Sequence, residues 1–461
     1  MRSVQLVTCT LLLTLHVASP FTPCLTSGVR RLALTGRSHL GYPPFSPFLN
    51  PTIASTATTT KLLSTPTPPP ASAYVASTAL ITGTAIGAGV LSLPQLSLPL
   101  GFIPSASLLL CSYVAMLASA LTMAENQISL TPPALRMDPS ASPLSYSQQV
   151  NKSLGSVGQK FATGAYLFLH YAILCSYFSS GGGYVQKFSP TPLPPLSTPI
   201  LYAIITTLPI FLLPMQTMAS VNNLLVLGAL ASFVGIVSLG IPSADTSILD
   251  IPSSLPDWPC VAAVIPIFLL TLVFHNVIPT VTKNLNYDRN AVFSCITVGS
   301  SIPFLLFLVY DFTILGNVPD FQSVVDPIAV LQEAGGPNGE LLPDLVAGFC
   351  FLAITTSLIG FVDGLQTIFN PLFEKNAQKD LIVPALITIP PVAVACFGED
   401  VFLTALNLGA TFGVTLLFLV LPALTAMKDR GFSIPPIGML MTAALALSST
   451  LVQVPSDFVL K

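Results

Sequence analysis

The chain is short of charge. Lys, Arg, Asp and Glu make up only 8% of its 461 residues, against a hydrophobic share of 52%. A soluble domain carries about 25% charged residues, so too few are present to cover a water-facing surface. Acids are missing altogether before Glu125. The eight cysteines are scattered, mostly in apolar stretches, with no CxxC and no Cys/His cluster. That excludes a zinc site or a disulfide framework. No Gly-rich loop follows a strand and precedes a Lys, which excludes a nucleotide loop. No catalytic triad, paired-carboxylate site, haem-binding pattern or nucleic-acid patch is present, so no enzyme chemistry, metal or cofactor is expected. What remains is repeated apolar stretches of about 17–25 residues. They mark an all-α polytopic membrane protein in contact with lipid.

The first residues read differently from the rest. Arg2 precedes an apolar run of about 14 residues, too short to span a bilayer and suited to a signal peptide over 1–18. Residues 19–73 are rich in Ser, Thr and Pro and carry Arg30, Arg31, Arg37 and Lys61 without an acid. That is transit-peptide composition. The junction "VASPFTP" resembles the bipartite presequences of algae with complex plastids. The alternative is an ordinary signal peptide and a disordered tail. A single membrane domain over 74–456 follows.

Eleven spans are expected, at about 75–99, 101–124, 160–182, 200–219, 221–241, 260–281, 291–313, 344–369, 381–397, 400–427 and 434–454. With the mature N-terminus inside, thirteen bases fall inside and only Lys187 and Lys461 outside, Arg2 being set aside. The bias is that of a positive inside. A cleaved signal peptide alone would deliver the N-terminus to the lumen. A bipartite presequence removes the conflict, with the plastid stroma as the inside. A plastid envelope or other plastid membrane is therefore expected ahead of the plasma membrane.

Two spans carry their own helix breakers. "TGTAIGAGVLSLPQLSLP", Thr82 to Pro99, holds Gly83, Gly87 and Gly89 and then two prolines. In the sixth span, Phe274, His275 and Asn276 interrupt an apolar run and Pro279 follows. Unsatisfied backbone in hydrocarbon is costly, so a span breaks only where it lines a cavity. There its freed N–H groups suit a carboxylate. Residues 74–241 and 260–427 start alike, and five spans separate the two breaks. An odd number inverts one half against the other, which predicts a 5+5 inverted repeat plus one extra helix at 434–454. The alternative for "GTAIGAG" is a small-residue packing face.

"GTAIGAGVLSLP", "LTLVFHNVIPTVTKNL", "ITTSLIGFVDGL" and "ALNLGATFGVTLLFLVLPAL" resemble spans one, six, eight and ten of the tryptophan/tyrosine (aromatic amino acid) permeases. These belong to the amino acid/polyamine/organocation transporters, with the leucine-transporter fold. The resemblance runs from about Ser77 to Lys428. It implies secondary active, proton-coupled symport of an aromatic amino acid (tryptophan or tyrosine) by alternating access, with Na⁺ as the alternative coupling ion. A non-transporting amino acid receptor or a carrier of another neutral amino acid is the alternative.

Candidate site residues follow. The backbone of Ala85, Ile86, Gly87, Ala88 and Gly89 would meet the substrate carboxylate. Phe274, His275 and Asn276 would complete the substrate site. His275 either carries the coupled proton or satisfies freed carbonyls as a neutral ring. Tyr166, His170, Ile173 and Tyr177 follow helical spacing, as a pocket wall or as ordinary packing. Thr356, Gly360, Asp363 and Gly364 share one face of span eight. Asp363 and Thr356 are ion-coupling candidates, since an acid within a span is costly unless it functions. The family's acid lies about one turn later, where Thr367 stands here. Thr355, Thr356 and Ser357 would offer hydroxyls to sodium. Glu125 either resembles a coupling acid of the family or caps an interfacial helix end. Asp311, near the outer face, reads as solvated.

Overall fold

The computed structural model describes residues 69–87, 89–138, 142–250, 257–318, 328, 341–374, 376, 378–398, 401–431 and 433–451. The signal peptide and nearly all of the presequence expected over 1–73 lie outside these residues, as does Ala88. Every described regular element is helical.

The first span is broken as expected. Helix α1 (Ala71–Ala85) and helix α2 (Gly89–Ser97) meet at a bend of 53°. Ile86, at the junction, is extended (φ −78°, ψ 95°). Then come α3 (Phe102–Leu130), the single turn α4 (Pro133–Arg136) and α5 (Tyr146–Phe188). α5 begins far earlier than the expected span three, so the inside loop expected over 125–159 is largely helical. Ser145 and Gln148 form a reciprocal N-terminal cap there. Gly155, at φ +77°, then kinks the chain into the span proper.

Helices α6 (Ser197–Leu212) and α7 (Met215–Gly240) complete the first half. The second half also opens on a broken span. Helix α8 (Trp258–Thr271) ends before a single 3₁₀ turn at His275–Val277, and α9 (Ile278–Asn284) resumes. Pro279 sits at the start of α9, where its missing N–H costs nothing. Next are α10 (Arg289–Leu315), α11 (Leu341–Leu372) and α12 (Lys379–Ala395). Span ten is α13 (Val401–Leu408), a π-helical stretch (Gly409–Val420) and α14 (Leu421–Arg430). α15 (Ile434–Ser448) follows.

By length and composition, eight of the eleven expected spans are long enough to cross alone. Among the described residues, seven helices are long and apolar enough, and the bent pair α1–α2 makes an eighth. α6, α12 and α15 have 16, 17 and 15 residues. At 1.5 Å per residue they reach roughly 22–26 Å, short of a ~30 Å hydrocarbon core.

Two groups of helices meet at the breaks. α1 lies along α10, where Tyr74 and Ser294 hydroxyls pair at 2.9 Å and Thr82 donates to the Gly299 carbonyl at 2.9 Å. α3 joins them through Tyr113, stacked on Phe304 at 4.6 Å. α2 packs on α8. In the other group α5 packs against α6, α11, α12 and the π stretch. Arg289 pairs with Glu125 at 2.7 Å, and Arg430 donates to Asn126 at 3.0 Å. Helix ends expected on the basic side therefore do share one face.

Candidate functional site

Each break exposes backbone for a different local reason. At the first, Gly89 comes so close to α8 that a Cβ would sit 2.6 Å from the Thr271 Cα. Only glycine lets the two broken spans touch there. At the second, Leu272 (φ −100°, ψ 18°) and Phe274 (φ −138°, ψ 11°) leave helical geometry.

A cavity of about 1320 Å³ opens at these breaks. From α2 it takes only Gly89 and Val90. Along α1 it runs back to Tyr74, and along α11 to Gln366, toward the helix ends flanked by bases. Asn222 and Asn223, early in α7, line the same mouth. The cavity thus faces the basic side.

The described residues close the opposite side. Asn317 Nδ2 donates to the carbonyls of Gly240 and Thr313, both at 2.8 Å, and its Oδ1 accepts from Ser243 Oγ at 2.7 Å. The Asp245 N–H donates to the Gly316 carbonyl at 2.7 Å. Leu98, Ile248 and Leu315 pack beneath, beside the edge-on rings of Phe102 and Phe312. Asp245 itself accepts from the Ser247 N–H and hydroxyl, which hold its carboxyl below the ordinary value.

The cavity brings most of the candidates together. Ala85, Ile86, Gly87, Gly89, Tyr166, His170, Asn276, Thr356 and Asp363 all line it. Tyr166 stacks on His170 at 3.7 Å, and Phe361 meets His170 and Tyr177 edge-on at 4.8 and 5.8 Å. The wall is therefore aromatic, contributed by α5 and α11. A Cβ on Gly87 would lie 3.0 Å from Ser357 Oγ and 3.7 Å from Tyr177 Oη, so the first break faces that wall. Thr356 donates to the Ala353 carbonyl at 3.1 Å and keeps its lone pairs for a ligand.

Three candidates fall elsewhere. Phe274 and His275 do not line the cavity. His275 is fully buried, stacked on Phe418 at 4.7 Å. Neither ring nitrogen has a hydrogen bond of normal geometry, although the Met116 backbone is near. The break turns this pair away from the cavity, into the packing against α3 and the π stretch. Glu125 is spent on Arg289. Asp311, read as solvated, is buried. The sequence reasoning also missed Phe361, Asn222, Asn223, Gln366 and Phe418 as cavity residues. The paired asparagines inside an apolar run were the available signal.

The model of the tryptophan/tyrosine permease family matches residues 71–436. The chain belongs to that family. Its permease fold also resembles the manganese transporter of Eremococcus coleocola, with a TM-score of 0.52 and 15% identity, covering 83% of this chain and 86% of that one. Among named relatives, the tyrosine-specific transport system 1 of Haemophilus influenzae is 25% identical over 72% of this chain and 82% of its own length. The tryptophan-specific transport protein of the same bacterium is 23% identical over 76% and 86%. The permease is an integral membrane protein and not an enzyme. Its cavity and both breaks fall within the matched residues.

Proposed function

We propose that this permease is a secondary active transporter of aromatic amino acids, driven by protons, with sodium as the alternative ion. One observation carries the reading: a cavity at two helix breaks, walled by aromatic rings, open toward the basic side and sealed on the other. Backbone N–H groups after the first break suit the substrate carboxylate, and the bare carbonyls at both breaks suit its amino group. The rings of Tyr166, Tyr177 and Phe361 would hold the side chain, each edge or stack contact contributing about 0.5–1.5 kcal/mol. The relatives named for tyrosine and tryptophan support that substrate class. Alternating access would break the Asn317 seal while closing the mouth.

Asp363 is the leading coupling group. It lies at the cavity, open to water, and a carboxyl there can take a proton on each cycle. Thr356 and Ser357, near the first break, suit sodium instead. Phe274, His275 and Glu125 have no part in this reading. A plastid membrane rests on the presequence composition alone, and the relatives matched are bacterial. Imaging the tagged full chain beside one lacking residues 1–73 tests it; the same plasma-membrane signal from both removes the plastid.

The deciding experiment is uptake of radiolabelled tryptophan, tyrosine, phenylalanine and leucine into proteoliposomes, with a proton or a sodium gradient imposed separately. Aromatic uptake under the proton gradient alone is expected. Asp363→Asn should then abolish gradient-driven accumulation while exchange of internal for external substrate persists. No flux of any amino acid by folded protein would overturn transport in favour of a receptor.

A further inference from the structure

One carboxyl in the closed gate has no charge to pair with. Asp311 lies in α10 about one turn before its end, beside Phe312 and a little before Asn317. It is 3% exposed, and its Oδ1 is buried without a hydrogen bond of normal geometry. Its neighbour is the Ser97 hydroxyl, at the end of α2. That oxygen is buried and lacks a bond of normal geometry as well.

The surrounding elements offer Asp311 no base. α10 packs chiefly on α1, α2, α3 and α7. α2 and α7 carry no titratable side chain. On α1, Tyr74 pairs with Ser294. On α3, Cys111 is buried, Tyr113 pairs with Ser301 at 2.9 Å, and Glu125 holds Arg289 at the basic end. Over the end of α10, Asp245 is exposed and faces Ser247. Tyr310, beside Asp311 in the chain, is buried against Phe349 and Cys350 of α11. The whole far side is poor in bases, since its expected segments hold only Lys187 and Lys461.

A carboxylate buried without a cation takes up a proton rather than keep its charge. The shut gate therefore holds Asp311 as the neutral acid, whose O–H can turn toward Ser97 Oγ. Opening the gate admits water, and in water a carboxyl ionises at neutral pH. Asp311 does not line the cavity. Its proton thus enters from the far side and returns there. Asp363 can deliver a proton across the membrane; Asp311 can only set how readily the gate shuts.

We infer that Asp311 is a proton-binding site of the far gate, protonated when the gate is shut and ionised when it is open, so that acid on that side favours the shut form. This rests on the alternating-access part of the reading above. One proton linked to closure changes the ratio of shut to open by up to about 10-fold per pH unit.

The test is the rate at which a hydrophilic thiol reagent labels Leu98→Cys in the full chain, held in lipid nanodiscs between pH 5 and 8. Leu98 packs in the gate and lies outside the cavity, so its labelling reports opening of the far side. Each rate is divided by that of the same chain unfolded, which removes the thiol's own titration, and the chain without Leu98→Cys gives the background. The corrected rate should rise at least about 10-fold from pH 5 to pH 8. With Asp311→Asn it should stay low and change by less than about 2-fold. Ser97→Ala removes the partner of the acid form and should move the midpoint about half a unit toward acid, a reading that stands even where Asp311→Asn does not fold. A rise that persists in Asp311→Asn overturns the inference, as does a midpoint unmoved by Ser97→Ala. Labelling raised equally at every pH in Asp311→Asn marks a merely structural residue and also overturns it. A flat profile in the unaltered background overturns it while leaving alternating access intact. No labelling at any pH, even with Asn317→Ala, overturns alternating access and this inference with it.

Discussion

Replacing Gly89 with alanine should drive the two broken spans apart. The new methyl carbon would sit 2.6 Å from the Thr271 Cα, 2.7 Å from its Oγ1 and 3.1 Å from its Cβ. Carbon–carbon contact is normally 3.5–4.0 Å, so roughly 1 Å of separation is needed. The obstructing atom belongs to the backbone of α8 and cannot swing aside. Overpacking of this kind costs about 1–3 kcal/mol. Gly83 is the internal comparison. It lies six residues earlier in the same motif, in α1, and a Cβ there meets nothing within 4 Å. Gly83→Ala removes a poor helix former and should stabilise α1 by up to about 1 kcal/mol. The two variants should therefore differ by about 1–4 kcal/mol, in opposite directions from the unaltered protein. Thermal melting in detergent, read as loss of the monodisperse peak on size exclusion, measures this. If Gly89→Ala melts with Gly83→Ala, the close approach of the breaks is wrong and the cavity built on it must be redrawn.

Two other predictions concern the frame around the cavity. Tyr146 donates to the Leu417 carbonyl at 2.7 Å, and Ser119 donates to the next carbonyl, that of Phe418. The π stretch frees carbonyls in this region, so Tyr146→Phe should strand one and cost about 1–3 kcal/mol in the same melting assay. Asn317→Ala removes three hydrogen bonds from the sealed side. It should increase labelling by a membrane-impermeant thiol reagent of a cysteine placed at Val90, beneath the seal; unchanged labelling would show that Asn317 is not part of the barrier.

The readable part of the site is the part carried by backbone. Glycines and prolines inside apolar runs mark the breaks, because a helix cannot absorb them without losing hydrogen bonds. Spacing also carries Tyr166, His170 and Tyr177 onto one face of α5, since a continuous helix preserves its register. Register is lost at a break. His275 and Asn276 are neighbours in the second one, yet Asn276 lines the cavity and His275 packs against Phe418. No periodicity connects them across non-helical dihedrals. Glu125 is a different case: its partner Arg289 is 164 residues away, and long-range pairing leaves no local trace.

Membrane residence, the two breaks and the basic side of the molecule follow from the sequence alone, because each is set by composition or by what a helix can tolerate locally. The tertiary structure decided which of two histidines meets the cavity, which side is sealed, and that an aromatic wall from α5 and α11 faces the first break. Those outcomes depend on how one helix rotates against another. That rotation is set by contacts such as Gly89 on Thr271, between residues far apart in the chain.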